Sequence, residues 1–301
     1  MTTPEPAATP SPIGVLGPIG ILGMGAMGAG VARTLSDAGH QVVTALDGRS
    51  ERTQARAADA GAQDHGTLAR LVETCTTFIS LVPADQAEPL GERIAQALRN
   101  RTAPSPFTYI DANSMVPTRT ARVAATVQAA GATFIDGGII GPPPSASATP
   151  RLYLSGPGRE AYAALQTPQL TVTLLGESLT QATELKILYA SYNKGAVALM
   201  STIMAAVQRA DLMEEFLNEA THSPSLAAST LGQAPGVGAK AARWAIEMRD
   251  CAAALEDLEQ TGAFHEAAAR VYEDLAATLG EKGQEAQTAE ALFEAWRKRE
   301  L

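Results

Sequence analysis

The stretch that most restricts what this chain can fold into is Ile19–Gly28, where a short apolar run ends in Gly23-Met24-Gly25-Ala26-Met27-Gly28. An amphipathic segment, Ala29–Ala38, follows, and Gly39 closes it. Strand, tight turn and helix in that order is the context in which G-x-G-x-x-G signals a dinucleotide site rather than an ordinary glycine turn. Gly23 permits the turn, Gly25 leaves room for a pyrophosphate against the backbone, and Gly28 lets the helix pack on the strand. The helix start adds free N–H groups and a partial positive charge, both favourable to phosphate. A second strand, Gln41–Leu46, follows at the distance the motif requires.

The next residues, Asp47-Gly48-Arg49-Ser50-Glu51-Arg52, fall where such a fold reads the adenosine ribose. Asp47 has the offset of an acid that binds a ribose 2′-hydroxyl, as in NAD sites. Arg49, Ser50 and Arg52 suit a 2′-phosphate through charge-assisted hydrogen bonds. A carboxylate aimed at that phosphate would repel it, so NADP is expected if Asp47 turns outward, with NAD the alternative. The helix Glu51–Ala60 is expected next. Thr76–Val82 reads as a buried parallel strand, which places Leu81, Val82 and Pro83 at its carboxyl end on the nicotinamide side. Helix Gln86–Asn100 and strand Phe107–Asp111 lead to Asn113 and Ser114, set to bond a substrate or the nicotinamide amide; a turn with an N-cap is the plainer use of both. Helix Pro117–Ala130 and strand Thr133–Asp136 run into G-G-I-I-G-P-P-P, read as a shaped loop. Strands Arg151–Ser155 and Thr171–Leu175, with a short helix near Gly158–Leu165, complete the sheet.

From Ser178 the chain turns alanine-rich and helical. Ser178 and Gln181 form an S-x-x-Q capping box, and the helix they open is expected to reach about Leu217. A Gly/Pro/Ser-rich break, His222–Gly238, separates it from helices around Ala239–Leu258, Ala263–Leu279 and Glu285–Arg299. Lys186, Tyr189 and Asn193 fall within about 60° of one line on the long helix. Lysine on an apolar helix face is costly unless paired or used, and catalytic lysines need such partly desolvated settings. Lys194 is a second candidate on the same helix, and Arg243, Trp244 and Arg249 could add an anion contact or a wall.

The expected class is α/β: a Rossmann-type doubly wound sheet followed by an all-α C-terminal domain. The divisions are a Pro/Thr/Ala tail (1–14) read as disordered, a dinucleotide-binding domain (15–177) and a helical substrate and dimerisation domain (178–301). A net charge of −9 argues against nucleic acid as a partner. No apolar run approaches the ~20 residues that span a bilayer, and the tail lacks the basic start and apolar stretch of a signal peptide. Cys75 and Cys251 read as buried free thiols, which fits a cytoplasmic protein. No His/Cys/Asp cluster has metal-ligand spacing.

Four motifs together resemble the β-hydroxyacid dehydrogenase superfamily, which includes 3-hydroxyisobutyrate and 6-phosphogluconate dehydrogenases and the imine reductases. Residues 23–42, G-M-G-A-M-G-A-G-V-A-R-T-L-S-D-A-G-H-Q-V, look like its cofactor signature, which brings in Met24, Ala26 and Met27. Y-I-D-A-N-S-M-V-P (109–117) looks like its second signature, and F-I-D-G-G-I-I-G (134–141) is similar to its substrate loop, implying substrate contacts at Gly138, Ile139 and Ile140. E-L-K-I-L-Y-A (184–190) matches the catalytic-lysine helix. The chain also resembles an uncharacterised branch of the superfamily whose C-terminal part is described only as phosphogluconate-dehydrogenase-like. The resemblance implies that Lys186 acts as general acid/base on a carbonyl/alcohol substrate such as a 3-hydroxyacid with an apolar part, and that the helical domain forms a homodimer. Two departures stand out: relatives carry Asn where Ala190 stands, and a Ser-Gly-Gly carboxylate anchor where Ile140-Gly141-Pro142 stands. Both make the pocket more apolar, and they keep an imine reductase and a non-catalytic dinucleotide-binding protein as alternatives.

Overall fold

The computed structural model describes residues 16–102, 105–222, 236–279, 292 and 294. The predicted tail, most of the Gly/Pro/Ser-rich break and all but two positions of the predicted last helix lie outside them. The chain divides into two compact units, Met1–Lys186 and Ile187–Leu301.

The first unit is an eight-stranded sheet in the order β3-β2-β1-β4-β5-β6-β7-β8. Its strands are β1 (Ile19–Leu22), β2 (Val42–Thr44), β3 (Gln63–Asp64), β4 (Thr77–Ser80), β5 (Thr108–Asp111), β6 (Thr133–Ile140), β7 (Arg151–Ser155) and β8 (Thr171–Leu174). All neighbours are parallel except β6 and β7. The helices of this unit are α1 (Ala26–Asp37), α2 (Glu51–Asp59), α3 (Leu68–Thr74), α4 (Ala84–Arg99) and α5 (Pro117–Gln128). The order reverses between β1 and β4, the switch point outside whose carboxyl ends such sheets bind ligands.

Period-2 alternation sends successive side chains of each strand to opposite faces. Ile19, Ile21, Ile79, Ile110 and Ile135 meet Val31 and Leu35 of α1. Phe78, Tyr109 and Phe134 meet Leu71 of α3, Leu90 of α4 and Val123 of α5. These three rings lie in register across β4, β5 and β6, with centroids 5.2 and 6.0 Å apart. Cys75 is buried and free, as is Cys251 in the second unit; burial pushes their thiols up to about 12 and about 11.

Three expectations about elements need correction. The shaped loop expected at G-G-I-I-G begins later, because Gly137–Ile140 continue β6 and pair with Arg151–Leu154. Gly138 is needed there for close approach: a Cβ on it would stand 2.6 Å from Ala182 O. The capping box does not form, since Ser178 Oγ accepts from Thr180 N while Gln181 Oε1 accepts from Gly176 N. The long helix, α6, covers Gln181–Arg209 and stops short of Leu217. Asp211 takes a left-handed φ of 57°, Leu212 N reaches back to Val207 O and Asp211 N to Gln208 O, which is a Schellman ending without glycine.

The second unit continues α6 from Ile187 and adds α7 (Met213–His222), α8 (Ala241–Asp257) and α9 (Ala263–Leu279). Trp244 and Tyr272 meet edge to face at 5.4 Å, and Tyr272 Oη donates to Lys194 O. No helix among the described residues is long and apolar enough to cross a membrane.

Candidate active site

The carboxyl ends of β1, β2 and β4 surround a cavity of about 480 Å³. Its floor is Gly23-Met24-Gly25, and Leu81, Val82 and Pro83 form one wall. Gly23 has φ +102°, and any Cβ there would run into Leu81 O. A Cβ on Gly28 would strike Gly23 O, so that glycine serves helix-on-turn packing. A Cβ on Gly25 would meet nothing within 4 Å; this position opens onto free space, as a site for a pyrophosphate requires. No side chain caps α1 at Gly25, which leaves its first-turn N–H groups for an anion. These residues fit a dinucleotide.

Arg49, Thr53 and Arg56 also line it, and Arg93 of α4 adds a third guanidinium; among the described residues no acid lines the cavity. Asp47 is exposed and is not among its lining residues. Of the residues expected to bind cofactor, Ala26, Met27, Gly28, Ser50, Arg52 and Asn113 do not line this cavity. Ser50 caps α2, its Oγ accepting from Thr53 N, and Arg52 is exposed. Sequence reasoning missed Arg56 and Arg93. Their signal is helical spacing: Arg49, Thr53 and Arg56 step by a turn, as do Gln86, Leu90 and Arg93.

Beside the cavity, β5 and β6 carry two buried carboxylates at one level, Asp111 at the end of β5 opposite Asp136 in the middle of β6. Asp136 Oδ2 accepts from Thr183 N at 2.8 Å, and Asp136 Oδ1 accepts from Thr183 Oγ1 at 2.6 Å. Ser155 of β7 donates to Asp136 and accepts from Ala182 N at 3.1 Å. Strand side chains thus satisfy the first-turn N–H groups of α6 that the local sequence leaves open. The next turn carries Lys186, whose Cβ would be 3.4 Å from a Cβ on Gly138. Its Nζ donates to Asn113 O at 3.1 Å.

Asn113 is a hub. Its N–H donates to Asp111 Oδ1, and its side-chain Oδ1 accepts from Val82 N at 2.7 Å and from Ser80 Oγ. This corrects the expectation that its amide is presented to a ligand: the side chain is buried and committed to the wall, and the carbonyl holds the lysine. Ser114 is exposed. Ile139 also needs correction, because the strand pleat turns it into the α1-side core, while Gly138 faces α6 and Ile140 is half-buried.

Burial lowers Lys186 to about 8 against the upward pull of Asp111 and Asp136. Asp111 is raised to about 7, chiefly by burial, and Asp136 to about 6 for the same reason, each resisted by the hydrogen bonds it accepts. Perturbed groups of this kind cluster at functional sites. Sequence reasoning did not single out Asp111 and Asp136, though Y-I-D and F-I-D set acids at matching positions of two apolar strands.

The remaining expected residues belong to the second unit. Tyr189 is 46% exposed and Asn193 partly exposed. Lys194 is ion-paired with Glu247 and lies over the Trp244 ring. Arg243 pairs with the same glutamate and Arg249 with Glu273, so these cations are engaged within their own unit.

The NAD-binding domain of 6-phosphogluconate dehydrogenase matches as a family over residues 18–173, more than half the chain. The chain belongs to the β-hydroxyacid dehydrogenase superfamily. A domain of unknown function, DUF1932, matches residues 208–275. No curated protein matches the chain in sequence. Among solved structures, Mycobacterium tuberculosis 3-hydroxyisobutyrate dehydrogenase with L-serine is 17% identical at TM-score 0.73, over 94% of this chain and 99% of that one. A conserved hypothetical protein from Sinorhizobium meliloti is 19% identical at TM-score 0.72, over 94% and 98%. An imine reductase variant from Myxococcus stipitatus, in complex with NAD+, is 17% identical at TM-score 0.56, over 94% and 100%. At these identities the likeness is one of fold. The superfamily's Rossmann-type sheet and nicotinamide-dinucleotide site are those of this chain.

Proposed function

We propose that the protein is an NADP-dependent oxidoreductase of the CH–OH class, interconverting a carbonyl compound and an alcohol with Lys186 as general acid/base. The observation that carries this reading is the placement of Lys186 Nζ on Asn113 O, above two buried carboxylates and next to the dinucleotide cavity. A nicotinamide dinucleotide supplies or accepts the hydride when bound. Gly23, Gly25 and the start of α1 would hold its pyrophosphate, Leu81, Val82 and Pro83 would line the nicotinamide side, and Arg49 would meet a 2′-phosphate. NADP is favoured over NAD because Arg49, Arg56 and Arg93 surround the cavity and Asp47 stays out of it. Lys186 in its charged form donates a proton to the carbonyl oxygen during reduction. In the neutral form it takes the hydroxyl proton during oxidation.

The direct test is turnover of NADPH and NADH with 3-oxo acids, aldehydes, ketones and cyclic imines, followed as a function of pH. Carbonyl reduction is expected, with kcat/KM falling above about pH 8 as Lys186 loses its proton. Oxidation of the matching alcohol should rise over the same range. Turnover of imines alone would assign the CH–NH class, and tight cofactor binding with no turnover would assign a binding protein.

We further place the protein in the cytoplasm as a homodimer formed through the helical unit. Leu188, Tyr192, Leu199 and Ile203 fall within about 60° on α6, and Tyr192 and Leu199 are 58% and 52% exposed. A stripe of this kind marks an interaction face. The solution mass is expected to be twice that of the chain, and a monomer by light scattering would reject the assignment.

A further inference from the structure

We propose that Asp111 is a positioning residue for Lys186: an acid that holds a proton on Oδ2 and, on losing it, makes the lysine hold its own. The inference rests on the reading of Lys186 as the proton donor and adds what governs that donor. It begins from an asymmetry between two acids that stand level on neighbouring strands. Asp136 accepts three hydrogen bonds, from Thr183 N, Thr183 Oγ1 and Ser155 Oγ, so both of its oxygens are engaged. Asp111 accepts one, at Oδ1 from Asn113 N at 3.0 Å. Its Oδ2 is buried and has no hydrogen-bond partner among the described residues. Donors favour the ionised form of an acid, and an oxygen buried without them favours the neutral form. Asp136 is therefore the carboxylate of the two, and Asp111 the acid that keeps a proton.

Asn113 joins this acid to the lysine. Its N–H donates to Asp111 Oδ1, and its C=O accepts from Lys186 Nζ. The titratable groups facing Asp111 are Tyr109, two residues back on the same strand face, Asp136 across the ladder and Lys186 of α6. Burial raises Tyr109 well above its ordinary value, so the phenol brings no charge. That leaves one cation and two acids that are 2% and 0% exposed. With Lys186 charged and Asp136 ionised, a proton on Asp111 makes the group neutral. Without that proton the group is negative, which buried surroundings disfavour. Asp111 lets go at about 7 and Lys186 at about 8. The acid thus ionises first and its new charge then holds the lysine's proton, the two titrating in coupled steps. The converse operates during reduction. Once Lys186 has passed its proton to the carbonyl oxygen, the cation that favoured an ionised Asp111 is gone, and the acid binds a proton from solvent more tightly. Asp111 thereby limits the change of charge that each turnover forces on a buried site.

Three measurements on the full chain test this, and the first two do not depend on catalysis. The chain has five lysines, so a carbon-13 spectrum of protein labelled at lysine Cε is simple, and Lys186→Met assigns one signal in it. That signal should titrate near 8 in the wild type. Asp111→Asn should lower the midpoint by about one pH unit, a roughly tenfold weaker hold on the proton. Asparagine keeps an oxygen for Asn113 N and has the shape of the neutral acid, so the fold is expected to stand. An unmoved or raised midpoint would overturn the proposal. Infrared spectra of the wild type should show a protonated-carboxyl band that titrates near 7, well above the range of ordinary carboxyl groups. Asp111→Asn should remove it, and Lys186→Met should carry it to higher pH, because the coupling is reciprocal. A wild type without such a band would overturn the proposal even where the variant failed to fold. The third measurement is the pH profile of carbonyl reduction with NADPH, in which kcat/KM of Asp111→Asn should begin to fall about one pH unit lower. If the lysine spectrum moves and this profile does not, the link between Asp111 and Lys186 stands and the reading of Lys186 as proton donor falls. If neither moves, while Lys186→Met still abolishes the inflection, the present proposal alone falls and Asp111 serves only the structure.

Discussion

Lys186→Met is expected to lower turnover by about 10²–10⁴-fold, the usual contribution of a positioned proton donor, while NADPH binds with unchanged affinity. Methionine keeps the length of the stem and its fit over Gly138, so the change removes the ammonium and its bond to Asn113 O and little else. The pH dependence of the residual rate should lose its inflection near 8, because the group that titrates there is gone. Stopped-flow single turnover together with fluorescence titration of NADPH checks both halves of the expectation. Full activity in this variant would reject Lys186 as the acid/base, and loss of cofactor binding would assign it to the cofactor site.

The second large effect is on cofactor choice. Arg49→Ala should weaken NADPH by about 10- to 100-fold, as expected for a charge-assisted contact to phosphate, and change NADH by less than about threefold. The reason is the distribution of charge around the cavity: three arginines, no acid, and Asp47 facing solvent. Arg56→Ala should act in the same sense, because it stands less than two helical turns from Arg49 on the same wall. Dissociation constants for both cofactors decide the matter. Equal losses for NADH and NADPH would mean that these arginines hold the shared part of the dinucleotide and would return the preference to NAD.

The cofactor half of the site was legible because its chemistry is encoded locally. A turn that excludes a Cβ at Gly23 and Gly28 must be written in glycine there, and with Gly25 between them the three stand at the spacing of the dinucleotide fingerprint. Lys186 stood out in the sequence for a related reason, a cation on an otherwise apolar helix face, and the fold sets its ammonium on Asn113 O. What escaped was encoded across the chain. Gly137 and Gly138 look like a loop to a local reading, yet they are strand residues made small by Asp111 O on one side and Ala182 O on the other. Asp136 looks like a strand end, while its partners Thr183 and Ser155 are known only once β6, β7 and α6 are assembled. Arg93 is a surface charge in sequence and a wall of the cavity in the fold. The ending of α6 was hidden because Asp211 takes the left-handed position that a glycine would have announced.

The tethering of the first turn of α6 by Asp136 and Ser155 sets a rule for recombining such proteins. The turn that delivers Lys186 takes its anchorage from β6 and β7, and the first compact unit accordingly ends at Lys186 itself. A chimaera that keeps this sheet and borrows a helical half from a relative should be joined after Lys186. A crossover placed earlier, at the change of composition near Ser178, would import a helix start with no matching carboxylate to receive it. The boundary between the two compact units therefore lies inside a continuous helix, and shuffling across it keeps Lys186 on its anchorage only when that residue travels with its sheet.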